Sequence, residues 1–286
     1  MSGFSPEWLA LREGADSRAR AAPLLDLLRE RLAGRSTLTI ADIGCGTGST
    51  IRAISRLLPE RQVWHLYDYD GALLKAARTA LARWAGADPH AGGDAGSITL
   101  SRDGRVIEVS VHRLDLMAEL ARVFDPPPDL VTASAFFDLV SAEWIDAFVR
   151  QAAAVRSAVY AAITYNGEEE WEPPHPADAA VLAAFHAHQR TDKGFGPAAG
   201  PAAVSHLAGG LAAEGYDVFT ADSPWRLGEG DESLIEAIAM GSADAVAETG
   251  LVPAHQIAAW REARMGAARC RIGHTDLLAF PRRGAN

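Results

Sequence analysis

The chain is poor in cysteine, has no long apolar run and carries no excess of basic residues. Cys45 and Cys270 are its only cysteines. Two are too few for a disulfide framework and lack zinc-ligand spacing, so a reducing compartment and no metal are expected. No stretch reaches the roughly 18 apolar residues that span a bilayer, and the N-terminus lacks the basic and apolar regions of a secretory leader. The expectation is therefore a soluble, cytoplasmic protein without a membrane partner. The balance of 27 basic against 37 acidic residues gives a net charge of −10, which works against attraction to nucleic acid phosphates. There is no internal repeat. At 286 residues and 48% hydrophobic content, the chain is long enough to bury a sizeable core as one α/β domain with additions.

What is present is glycine at a strand-to-helix turn. Residues 40–50 read I-A-D-I-G-C-G-T-G-S-T. Residues 38–43 form the apolar run of a buried parallel strand, and 49–58 show the i, i+3, i+4 pattern of an amphipathic helix. Gly44, Gly46 and Gly48 fall in the turn between them. There they tolerate positive φ and let a ligand approach backbone N–H groups. Ser49 stands where a dinucleotide fold carries its third glycine, which turns the reading away from NAD. Cys45, inside the turn, reads as a small packing residue rather than a nucleophile.

A second buried strand over 63–67 ends at Asp68, about twenty residues past the glycines, where such folds place a carboxylate for ribose hydroxyls. The phrase Y-D-Y-D-G-A-L-L-K-A-A continues it. Asp70 there reads as the N-cap of a helix whose inward stripe is Leu73, Leu74 and Ala77. A third strand over 106–111 leads into H-R-L-D-L, placing Asp115 just beyond a strand's carboxyl end.

These motifs resemble those of the class I S-adenosylmethionine (SAM) dependent methyltransferases, over residues 38–163. The resemblance implies a Rossmann-like, seven-stranded, mostly parallel sheet with helices on both faces and an antiparallel pair at its edge. It also implies SAM as cofactor, held by Asp42, Gly44, Cys45, Gly46, Gly48, Asp68, Tyr69, Asp115, Leu116 and Ser134. Asp115 would receive the adenine amino group, with Leu116 packed nearby. Residues 1–36 read as a helical cover, in which Arg12, Arg18 and Arg20 face either a ligand anion or solvent. Residues 37–286 form the catalytic domain, with substrate-side insertions near 165–214 and 231–266.

The substrate is expected beyond a fourth strand over 130–133 and a fifth over 158–164. The phrase S-A-F-F-D places Phe136 and Phe137 there, with Asp138 as a cap or surface residue. Tyr165 and Asn166 leave strand five, and His186, His188, Gln189, Asp192 and Lys193 gather at a helix end and turn. His186, His188 and Tyr165 are the candidate catalytic groups; Phe136, Phe137, Asn166, Gln189 and Lys193 are the candidate substrate contacts. His186 and His188 are two apart on a helix and point away from one another, so no shared metal is expected. The 168–170 carboxylates read as solvated, and Trp171 and Trp225 as packing. His274 and Asp276 lie on one side of a last strand, with no evident chemistry.

The reading is a SAM-dependent methyltransferase acting on an O, N or S atom of a small molecule; the oligomeric state is open. S-A-F-F in place of N-P-P-Y argues against nucleic acid bases as acceptors. Two rivals are a non-catalytic SAM-binding regulator, with phenylalanines filling the transfer zone, and an NAD-dependent oxidoreductase, for which no Tyr-x-x-x-Lys arrangement is found.

Overall fold

The computed structural model describes residues 4–88, 97–191 and 196–282. Two helices, α1 (Pro6–Ala19) and α2 (Ala22–Leu32), precede the sheet. The helical cover expected here is built from two helices: the chain breaks at Arg20 and Ala21, and Pro23 sits in the first turn of α2, where its missing N–H is tolerated. The alternating part follows: β1 (Thr37–Ile43), α3 (Ser49–Ile54), β2 (Arg61–Asp68), α4 (Gly71–Trp84), β3 (Ser97–Arg102), β4 (Arg105–Arg113), α5 (Leu116–Glu119), β5 (Leu130–Ser134), α6 (Ala142–Val155) and β6 (Ala158–Glu172). The remainder is α7 (Asp178–Gln189), α8 (Ala203–Ala213), β7 (Tyr216–Asp222), β8 (Trp225–Leu227), α9 (Glu232–Thr249), α10 (Ala254–Met265) and β9 (Arg269–Pro281).

Among the described residues the sheet has nine strands in the order β3-β4-β2-β1-β5-β6-β9-β7, with β8 also on β9. Strands β4, β2, β1, β5 and β6 run parallel, whereas β9 pairs antiparallel with β6, β7 and β8. The expected Rossmann-like sheet with its antiparallel edge is thus present, but with nine strands rather than seven. The additions are β3, which forms a hairpin with β4, and the three-residue β8. Chain order reverses between β1 and β5, and such a switch point opens a crevice at the strands' carboxyl ends.

Period two sets the layers. Leu38 and Ile40 of β1 pack into one core with Leu28, Trp64, Leu74 and Leu81. Ala41 and Ile43 pack into the other with Phe137, Phe148 and Leu207. Local signals fix the helix starts: Asp70 accepts the Ala72 amide, and Ser141 that of Trp144, each satisfying an otherwise unpaired donor.

The largest departure from expectation lies after residue 164. The polar segment there does not leave the sheet; β6 runs on to Glu172, pairing Glu169–Glu172 with Ile272–Arg269 of β9. Two register shifts make this possible, one at Ile163 (φ 53°) and one at Gly167 (φ 92°). Gly273 is required opposite them, because a Cβ there would collide with Asn166 and Glu168. The helical excursion late in the chain is two helices, divided by Gly250 in a left-handed conformation and by Pro253. Among the described residues no helix is long and apolar enough to cross a membrane.

Candidate functional site: a cavity at the carboxyl ends of the strands

A cavity of about 610 Å³ lies over the ends of β1, β2, β4 and β5. Its floor is the glycine turn, with Gly44, Cys45, Gly46 and Thr47 exposed to it. Gly44, Gly46 and Gly48 all hold positive φ (60°, 53° and 75°). Gly44 is also sterically required: a Cβ would come within 2.5 Å of the Phe136 ring. Asp68, Tyr69, Asp115, Leu116, Ser134 and Phe136 line the walls, and Leu9, Arg12 and Asp16 of α1 close one side. Phe4, Tyr69 and Met117, all more than 40% exposed, gather at this cavity.

The turn's backbone is largely engaged within the protein. The Asp68 carboxylate accepts the amides of Gly46 (2.9 Å) and Asp70 (3.0 Å). The Cys45 amide donates to Tyr67 and the Gly48 amide to Cys45. Three N–H groups expected to face a ligand therefore face protein acceptors. Burial raises the Asp68 pKa above its ordinary value, against these amide hydrogen bonds.

Asp42 does not line the cavity; it is fully buried behind the turn, where Thr132 donates to Oδ1 at 2.6 Å. Its Oδ2 has no partner among the described residues, and burial lifts its pKa to about 7. Gly48 is likewise absent from the lining and caps α3. Asp115 accepts the Met117 amide as an N-cap while also facing the cavity. Cys45 is free and buried, with its thiol pKa pushed up by burial.

Of the residues expected to meet substrate, Phe136 lines the cavity and Phe137 does not. Phe137 is 1% exposed and packs edge-on against Phe148 at 5.1 Å. Tyr165, Asn166, His186, His188 and Gln189 are also absent from the lining, because β6 continues into the sheet. Tyr165 turns inward, its hydroxyl 3.0 Å from Glu169 Oε1 and 3.0 Å from His186 Nε2. Glu169 is therefore an internal partner and not a solvated carboxylate, and burial raises its pKa. Asn166 accepts the Glu168 amide, and His188 pairs with Glu248 of α9 at 2.9 Å. Burial lowers the His186 pKa. Asp192 and Lys193 lie outside the described residues.

Arg12 and Asp16 carry the signal that sequence reading left unresolved, an i, i+4 pair of opposite charges. They form a two-pronged ion pair at 3.0 and 3.1 Å, both buried. Arg20 is buried against Tyr160 and Ser134, whereas Arg18 pairs with Asp231 at 2.6 Å. Among the described residues no three His, Cys, Asp or Glu side chains are grouped to hold a metal ion.

The strand order and the position of the cavity settle the architecture. The fold is Rossmann-like, a parallel sheet with an antiparallel edge. No family model and no curated protein matches the chain. Similar solved structures include a SAM-dependent methyltransferase from Geobacter sulfurreducens in complex with S-adenosyl-L-homocysteine, 14% identical over 97% of this chain and 99% of that one, with a TM-score of 0.48. Another is a SAM-dependent methyltransferase from Thiobacillus denitrificans with the same ligand, 17% identical over 98% and 99%, TM-score 0.44. A third is a cyclopropane-fatty-acyl-phospholipid synthase-like protein from Lactobacillus casei, 14% identical over 94% and 99%, TM-score 0.47. Likeness of this degree adds nothing to the topology, and the functional reading rests on the site.

Proposed function

We propose that the protein is a SAM-dependent methyltransferase that acts on an O, N or S atom of a small molecule in the cytoplasm, without nucleic acid or membrane as partner. The observation that carries the reading is the Asp68 carboxylate on the Gly46 amide, inside a cavity at the sheet's switch point. A diphosphate needs bare amides. Here the amides of Cys45, Gly46 and Gly48 are already engaged within the protein, which disfavours NAD. A ligand with ribose hydroxyls, a purine and a cationic centre suits the same donors and acceptors.

The residues fit that ligand. Asp68 would take the ribose hydroxyls, Asp115 and Leu116 the purine, and the glycine turn with the buried carboxyl of Asp42 behind it the amino acid end. When bound, SAM supplies an electrophilic methyl carbon. The chain's own task is to align an acceptor with it and exclude water, and such positioning is worth on the order of 7–11 kcal/mol. Residues 1–36 supply the cover through Leu9, Arg12 and Asp16, and residues 37–286 the transferase domain.

Calorimetry with SAM, S-adenosylhomocysteine and NAD tests the cofactor; the first two bind and NAD does not. A mass-shift screen of metabolites incubated with SAM tests the transfer. SAM binding with no shifted product favours the regulator reading, which the Phe136 ring in the cavity also accommodates.

A further inference from the structure

We infer that the protein carries a second binding site, at the opposite end of the sheet from the glycine turn, and that it takes a small organic phosphate monoester. The inference stands apart from the transferase reading. A cavity of about 670 Å³ opens at the amino ends of β1, β5 and β6, beside the last turn of α2 and the end of β9. That volume is within the range of small-molecule sites. Three arginines line it, Arg31, Arg35 and Arg156. They gather in a chain whose net charge is −10, so the concentration of positive charge is local to this cavity.

Which of these charges is already matched decides what the cavity takes. Arg35 is neutralised by Asp129, whose other oxygen accepts the Thr39 amide at 2.9 Å. Asp217, the second carboxylate of the lining, is held by Arg282 at 3.0 Å. Arg31 and Arg156 have no carboxylate partner among the described residues. Both are solvent-exposed, so an anion can reach them. The Arg31 guanidinium sits over the Phe280 ring, 5.4 Å from its centroid, and Arg156 donates to the Arg282 carbonyl. Phe280 and Arg282 are two residues apart where β9 ends, so the two anchors are separated by at most about 7 Å of chain. A ring face and a carbonyl are neutral; each holds a guanidinium without cancelling its charge.

Two unmatched guanidiniums call for a ligand with two negative charges. A phosphate monoester carries about −1.5 to −2 at pH 7, and its oxygens fit the planar fork of arginine. A monocarboxylate would leave one guanidinium uncompensated. A cation would meet two like charges, both carboxylates of the lining being already paired. The organic part of the ester has apolar surface to meet in Leu32, Phe280 and Pro281. A recessed site of this size favours a free ester over a lipid headgroup, and the protein's overall negative charge works against approach to an anionic membrane surface.

The test is calorimetry on the full chain with phenyl phosphate, phenylacetate, benzylamine and inorganic phosphate. Phenyl phosphate should bind at least about tenfold more tightly than each of the others. Arg31→Gln and Arg156→Gln should each weaken it by at least about fivefold. Arg29→Gln should not alter it, because Arg29 is an exposed arginine of α2 outside the lining and pairs with Asp26. Saturating S-adenosylhomocysteine should leave phenyl phosphate in place, since the two cavities share no lining residue. Phosphatidylcholine vesicles doped with phosphatidic acid should not retain the protein. The site is overturned by no binding of phenyl phosphate, by equal binding of any other probe, or by displacement with S-adenosylhomocysteine. Unaltered affinity in Arg31→Gln and Arg156→Gln, or an equal loss in Arg29→Gln, overturns it as well. Vesicle retention that is lost in Arg31→Gln and Arg156→Gln overturns the free ester in favour of a lipid headgroup.

Discussion

The Asp68 carboxylate accepts the Gly46 amide at 2.9 Å, joining the ends of two adjacent strands across residues 22 apart in the chain. One side chain therefore both shapes the turn and faces the cavity. Asp68→Ala should weaken SAM binding by about 1–3 kcal/mol, roughly 5- to 150-fold, as measured by calorimetry. Unchanged affinity would contradict the assignment of this carboxylate to the ribose.

Gly44→Ala should be destabilising for two separable reasons. Its φ of 60° costs an L-residue about 1–2 kcal/mol, and the added Cβ meets the Phe136 ring. In a denaturant cycle, adding Phe136→Ala should relieve the collision but not the backbone strain, so the two substitutions should be less than additive. Strict additivity would show that the ring is not what the Cβ meets.

Asp276 is fully buried and accepts from Ala21 N (3.0 Å), Tyr160 Oη (3.1 Å) and Ile163 N (2.8 Å). It ties the N-terminal cover to the first register shift of β6. Asp276→Ala should cost about 3–5 kcal/mol, the scale for breaking a buried charged network that includes Arg20, and should speed proteolysis between α1 and α2. A loss below about 0.5 kcal/mol would remove it from this role.

Asp42 makes stability depend on pH. Burial raises its pKa to about 7 in the folded chain, against an ordinary value of 3.8. The folded state therefore holds the proton where the unfolded chain has released it. Stability from this group is fully present below about pH 4 and falls as pH rises toward 7, each unit of separation being worth about 1.4 kcal/mol. Asp42→Asn should flatten the fall in melting temperature over that window. An identical slope in the variant would show that Asp42 does not set it.

The glycine turn, Asp68 and the N-cap Asp70 were legible in the sequence because each rests on local chemistry: positive φ, a carboxylate at a strand end, a side chain reaching its own helix's amide. The candidates after β6 were legible only as residue types. Tyr165 and His186 do meet, at 3.0 Å, but beside Glu169 and away from the cavity lining. The cause is the pairing with β9, a strand roughly a hundred residues later, which no local pattern announces. The His274 and Asp276 pair had no reading for the same reason, since the partners that give Asp276 its meaning come from α2 and β6.

By itself, the order of residues determined a parallel α/β sheet and a bend at the end of its first strand, because apolar periodicity and glycine's freedom act within a few neighbours. Only the tertiary structure decided which amides that bend leaves available, which acids are buried, and that the segment after residue 164 stays in the sheet. Those outcomes depend on contacts between distant stretches of chain, where burial and pairing outweigh local preference.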